Sequence, residues 1–334
     1  MAAIVGGVFT LRVDTETVSR TRWSPSPASE CMAWLKLTAT SGRHPVFGDP
    51  GSLARASLGH RDVALLVDLL PQDGDTYLPD LLTPQPGAGT RRRDLIDEQI
   101  ARIEATTQED LESQLFTYTQ THWSRPLSTG SRRLAESGRL QRRLANGLAQ
   151  FWRVAMSDGW PELSSIIDQD ISHRAKSVVG HGVGRALGEL HPDIGWAGDV
   201  ITLVKPWDGE LDIAGRELVL VPSVLSWPDV IVQVDVPGEV VVYYPARRIG
   251  TGRDHKPGVV AQVIGSARAA LLADLETARS TTELARRTGY TAGTVSYHLK
   301  ALHRAGLVSK FRDGHYVLYQ QTPQAVILLH GTRN

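Results

Sequence analysis

The tightest constraint on this chain lies near its C-terminus, where capping and turn residues fall at fixed offsets between apolar stripes. Ile264 to Glu276 places Ala267, Leu271, Leu272 and Leu275 at helical spacing. Ser280-Thr281-Thr282-Glu283 follows as a capping box, with Ser280 as N-cap and Glu283 reaching back. The short helix it opens turns Leu284 and Ala285 inward and stops at Gly289, as a left-handed terminal glycine does. Thr291 caps the next helix, Ala292 to Arg304, whose inward stripe is Val295, Leu299 and Leu302. Gly306 ends that helix. Leu307 to Arg312 and His315 to Gln320 then flank Asp313-Gly314, a strong hairpin signal. The order is helix, helix, tight turn, helix, β-hairpin.

That order predicts a winged helix-turn-helix over residues 259–334, with double-stranded DNA as its partner. The helix from Ala292 is short, capped and polar on one face, as a major-groove reader must be. Its reading face comprises Thr291, Ala292, Gly293, Thr294, Ser296, Tyr297 and Lys300. Small residues at its start allow close approach to base edges, and hydroxyls suit bases or phosphates. Lys310, Arg312 and His315 fall on the wing, placed to grip the backbone or minor groove. Charge agrees. The chain is neutral as a whole, yet residues 251–334 hold 11 Lys and Arg against 5 Asp and Glu, leaving residues 1–250 net acidic. A basic module on an acidic body points to a polyanion partner for the module alone.

The stretch Gly293-Thr-Val-Ser-Tyr-His-Leu-Lys-Ala-Leu-His-Arg-Ala-Gly-Leu-Val308 resembles the ArsR/SmtB signature "TVSxHLxxLxxAGLV", and Phe311 to Tyr319 resembles that family's wing. Ala285, Gly289 and Val295 match the alanine, turn glycine and inward valine of the helix-turn-helix pattern. The resemblance covers about the last seventy residues, and with it the chain is read as a homodimeric transcriptional regulator, a repressor. It does not bring the family's metal chemistry. The segment Thr282 to Thr288 has no cysteine, the tail from Thr322 offers only His330, and the single cysteine, Cys31, is remote. Soft-metal sensing needs thiolates, so neither metal nor cofactor is expected. His298 and His303 read as packing or phosphate contacts. Ser24-Pro25, Leu190-His191-Pro192, Leu220-Val-Pro-Ser223, Trp227-Pro228 and Tyr244-Pro-Ala-Arg247 also resemble a group of actinobacterial regulators with a long N-terminal domain of unknown function.

Residues 1–250 read as a mostly helical regulatory and dimerisation domain that ends in a small antiparallel sheet, so the chain is α+β. Ser26 and Pro27 open a helix running to about Thr38. Apolar residues recur at helical spacing in Asp94 to Ala105, Ser131 to Met156 and Pro161 to Leu190, each taken as one helix. Val200–Val204, Glu217–Val221, Val230–Val236 and Glu239–Tyr244 are β-rich. The Pro, Gly and charge of Pro245 to Pro257 mark a linker, centred on 251–258.

All eight tryptophans precede Thr251. Trp34, Trp123 and Trp152 are candidates to line an apolar pocket for a small organic effector; ordinary core packing is the competing reading. Asp168, Asp170, His173 and His181 are the nearest thing to a ligand cluster, but His173 and His181 are too far apart for one ion. Gly180, Gly184 and Gly188 recur at four-residue steps and predict close approach of another helix. No nucleophile elbow, phosphate loop or triad spacing appears, so the chain is read as a non-enzyme. No apolar run approaches the ~20 residues that span a bilayer, and a lone cysteine suits a reducing compartment; a cytoplasmic protein without a membrane partner is expected. Two other readings stay open: a constitutive architectural DNA-binding protein with an assembly-only body, and an enzyme fused to a DNA-targeting module.

Overall fold

The computed structural model describes residues 7–71, 77–121, 126–205, 207–226, 229–247, 249, 264–275, 278–288, 290–313, 316–322, 324–325 and 328. The chain divides into two units, Met1–Ile249 and Gly250–Asn334. The linker expected at 251–258 lies outside the described residues. Among those described, no helix is long and apolar enough to cross a membrane.

The first unit is built on helices α1 (Thr15–Ser19), α2 (Pro27–Ala39), α3 (Gly51–Ser57), α4 (Arg61–Asp68), α5 (Leu95–Ala105), α6 (Gln108–Thr121), α7 (Thr129–Glu136), α8 (Leu140–Phe151), α9 (Trp160–His181) and α10 (Val183–Gly188). Ser26 caps α2 as expected: its Oγ accepts from Ser29 N at 3.3 Å, and Pro27 follows in the first turn. Ala28, Cys31, Met32 and Leu35 of α2 are buried with Val63, Leu66, Ile103, Leu144, Leu148 and Phe151. This helical core is tight where α8 meets α4. A Cβ on Gly147 would lie 2.3 Å from Asp62 O.

Two helices read as continuous are broken at glycines. Ser131 to Met156 divides at Gly138, whose φ is 63°. There Arg139 N donates to Leu134 O and Gly138 N to Ala135 O, a Schellman end to α7. After Phe151 the same stretch widens into a π-turn, Trp152–Met156. Pro161 to Leu190 divides at Gly182, with φ 86° and ψ 164°, a region glycine alone enters freely. The glycines do not meet another helix: Gly180 faces open space, while a Cβ on Gly184 would lie 2.7 Å from Trp196 Nε1 and one on Gly188 3.8 Å from Trp196 Cβ.

The single small antiparallel sheet is corrected to two four-stranded mixed sheets. Strands β1 (Gly7–Arg12), β2 (Arg22–Trp23), β3 (Ile194–Ala197), β4 (Val200–Lys205), β5 (Gly209–Asp212), β6 (Glu217–Ser223), β7 (Ile231–Gln233) and β8 (Glu239–Pro245) order as β3-β4-β1-β5 and β2-β6-β8-β7. Leu11 of β1 faces Ile201 of β4 in an antiparallel pair and Leu211 of β5 in a parallel one. β6 and β8 pair in parallel, Val219 against Val241. The physical reason is burial on both faces. Leu218, Leu220, Val240 and Val242 pack with Leu11, Ile201 and Leu203 of the other sheet. Val219, Val221, Val241 and Tyr243 form a cluster on the opposite face, where Tyr243 Oη accepts from Gln85 Nε2 at 2.6 Å. Strands covered on both faces are continuous apolar runs and favour parallel pairing.

The second unit contains α11 (Ser266–Asp274), β9 (Arg279–Ser280), α12 (Thr281–Thr288), α13 (Ala292–Arg304), β10 (Val308–Asp313) and β11 (Tyr316–Gln321). The expected element order is present, with β9 added as a third strand beside β11. Leu271, Leu272, Leu275, Leu284, Val295, Leu299 and Leu302 share one core with Val308 and Tyr319. The capping box is half right. Glu283 N donates to Ser280 Oγ at 3.2 Å, but the Glu283 carboxylate pairs with Arg279, because Ser280 belongs to the β9–β11 ladder.

Candidate nucleic-acid interface

α13 is held by its inward stripe, leaving the opposite face to solvent. Thr291 is its N-cap, with Oγ1 accepting from Thr294 N at 3.2 Å and lying 2.9 Å from Thr294 Oγ1. Thr291, Ala292, Gly293, Thr294, Tyr297 and Lys300 are exposed, and Ser296 is half-buried. Tyr297 is the most open of the aromatics here, at 66 %. One face of one helix therefore carries small residues and hydroxyls first, then an aromatic, then a cation. Removing the cap with Thr291→Ala is expected to cost about 1 kcal/mol, seen as a lower melting temperature of this unit.

The wing adds Lys310 and Arg312, both exposed. Lys310 Nζ stands 5.9 Å from the centre of the Tyr319 ring, which steadies its long side chain. His315 lies outside the described residues.

Charge is segregated within the unit. Asp274 accepts from Arg287 Nε at 2.9 Å and Glu283 pairs with Arg279, so Arg279 of β9 and Arg287 of α12 are neutralised by acids of α11 and α12. Among the described residues Lys300, Lys310 and Arg312 have no ion-pair partner. Arg304 and the half-buried Arg268 of α11 are unpaired as well, so the exposed uncompensated positive charge among the described residues sits on α13 and the wing.

Three residues escaped the sequence reading. Arg279, nearly buried, organises both acids. Arg304 is exposed in the last turn of α13, where a cation is favoured by the helix dipole. Tyr290 is partly exposed just before the cap, its ring 6.5 Å from that of His298. His298 also meets Tyr297 edge-on at 5.3 Å, so the aromatic spacing 290-297-298 was the available signal. His303 Nδ1 lies 2.8 Å from Val308 O and joins α13 to the wing.

The remaining candidates lie in the first unit. Trp34 is buried in the helical core and Trp152 packs at 5.4 Å against Trp160; these surroundings favour the packing reading. Trp123 lies outside the described residues. Asp170 is buried and accepts from Tyr244 Oη at 2.5 Å and Arg247 N at 3.1 Å, which commits it to structure. Among the described residues no group of three or more His, Cys, Asp or Glu is placed to hold a metal ion.

Residues 266–310 match a helix-turn-helix domain family, and residues 89–250 match a family of unknown function (DUF5937). The second match begins after β1, β2 and α2, which complete both sheets and the helical core. No curated protein and no solved structure matches the chain. The helix-turn-helix match, with the exposed cationic face of α13 and the wing, identifies a DNA-binding transcriptional regulator.

Proposed function

We propose that the chain is a homodimeric repressor of the ArsR type that binds a specific operator and is controlled, without metal, through its first unit. The observation that carries the reading is the capped, small-residue face of α13 beside the exposed, unpaired cations of α13 and the wing. In this reading the start of α13 enters the major groove. Thr294, Ser296 and Tyr297 touch base edges or phosphates, and Lys300, Lys310 and Arg312 grip the backbone. Two copies set their recognition helices about 34–36 Å apart, one DNA turn. A small organic effector or partner acting on the first unit alters that spacing and releases DNA. The first unit is regulatory and not catalytic.

Fluorescence anisotropy with duplex DNA from the protein's own promoter tests the reading. A specific duplex is expected to bind more tightly than a scrambled one. Arg312→Ala should weaken both alike and lower the log–log salt slope by about one. An unchanged slope removes Arg312 from the phosphate contacts. Equal binding of promoter and scrambled duplex removes the operator. Sedimentation of the full chain checks the dimer.

A further inference from the structure

An open cleft of about 590 Å³ runs along α9, within the size range of small-molecule sites. Its lining includes Ser164, Ser165, Ser172, His173, Lys176 and Arg247. It is polar, so an apolar effector of the kind a tryptophan-lined pocket would take has little to bury here. The two acids that also line it are engaged. Asp168 is ion-paired with Arg92. Asp170 accepts from Tyr244 Oη and Arg247 N, and the buried Arg174 stands 3.6 Å away. Arg174 in turn donates to Glu189 O at 2.6 Å and Leu190 O at 3.2 Å. By contrast, Lys176 and Arg247 have no ion-pair partner among the described residues. Desolvation, then the positive charges of Arg247 and Arg174, lower the pKa of His173, leaving a neutral imidazole for hydrogen bonding at neutral pH.

Two uncompensated cations, an imidazole and three hydroxyls recognise an oxyanion and its polar substituents. We propose that this cleft is the effector site of the first unit and takes a small molecule bearing a phosphate or carboxylate group. The proposal rests on the reading above that the first unit controls DNA binding. Position supplies the route. Arg247 lies three residues before Gly250, where the second unit begins, and its main-chain N is the group held by Asp170. An anion on the Arg247 guanidinium therefore acts on the residue that anchors the exit of the first unit.

Calorimetry on the full chain tests this with inorganic phosphate, glucose 6-phosphate and citrate. Glucose and sodium chloride at matched ionic strength are the controls. At least one oxyanion is expected to bind once per chain while neither control does. Preference for glucose 6-phosphate over citrate assigns a phosphate ester, and the reverse assigns a carboxylate. Lys176→Gln and Arg247→Gln should each weaken binding roughly tenfold, the worth of one charged hydrogen bond. Arg55→Gln, on α3, should leave it unchanged. Both cleft positions are exposed, and unchanged melting curves check that the variants fold. Absence of binding by all three anions at millimolar concentration overturns the site, as does equal binding by the Lys176→Gln, Arg247→Gln double variant. Saturating anion should shift DNA affinity severalfold; unchanged affinity overturns the effector role. DNA binding is measured separately without anion. Specific DNA binding with no anion binding sinks this inference alone, and anion binding without operator preference sinks the repressor reading alone.

Discussion

Gly147→Val is expected to lower the melting temperature of the first unit by roughly 6–12 °C, the equivalent of about 3 kcal/mol in a domain of this size. The added Cβ would meet Asp62 O at 2.3 Å and Asp62 C at 2.7 Å. Both are main-chain atoms of α4, so no rotamer change relieves the contact. The helices cannot slide apart cheaply either. Val63 and Leu66 on α4, and Leu144, Leu148 and Phe151 on α8, are fully buried around the crossing. Arg143 of α8 also pairs with Asp62 there. Gly147→Ala meets the same atoms and should fall in the same direction. Thermal melts followed by far-ultraviolet circular dichroism provide the measurement; a valine variant that melts with wild type would mean a wider crossing.

The second large effect centres on Glu30. This carboxylate is fully buried in the first turn of α2. Its two oxygens accept from Val224 N at 2.8 Å and Leu225 N at 2.7 Å. Glu30→Ala strands two buried amides, each costing about 1–3 kcal/mol. Burial raises the Glu30 pKa to about 7, against the pull of those two amides and Ser223. The sign follows. Between about pH 4.5 and 7 the folded chain holds a proton that the unfolded chain has lost, so stability falls as pH rises. The contribution is on the order of 3 kcal/mol. Asp80, raised to about 7 by burial, acts in the same sense. His44, lowered to about 4 by burial, acts in the opposite sense below pH 6.5. The difference between wild type and Glu30→Gln isolates the glutamate. Glutamine accepts from one amide only, so it should be clearly destabilising at pH 5 and nearly neutral at pH 8. Urea titrations at the two pH values decide; an equal penalty at both would mean that Glu30 is charged throughout.

The winged helix was legible because its determinants are local. Caps and the apolar stripes act within about 55 residues, and among the described residues the two-residue β9 is the one element that escaped notice; Gly314 of the Asp-Gly turn lies outside them. The first unit was legible helix by helix, and less so as a fold. Gly138 and Gly182 were visible as potential breakers, but glycine within a periodic pattern does not declare its φ. Continuous apolar runs at β6 and β8 marked burial on both faces, yet a run does not name its partner. Arg22-Trp23 carries no strand signal at all; it is ordered by pairing with Val219 and Leu220. The tryptophans left two readings open for a related reason, since a large apolar ring satisfies a core as readily as a cavity. At the interface, residue types announced the face of α13. The neutralisation of Asp274 and Glu283 by Arg279 and Arg287 depends on three-dimensional proximity and was not readable.

The place of β1 between β4 and β5 has a consequence for biosynthesis. The strand at residues 7–12 leaves the ribosome early, while its partners begin at Val200 and Gly209. At ordinary elongation rates of about 5–20 residues per second, it waits about 10–40 s for them. Throughout that interval its two edges are open to unwanted pairing. The helices between them can meanwhile assemble on the nascent chain, so the first sheet closes after the helices, and the second, which needs β8 at Glu239–Pro245, closes later still.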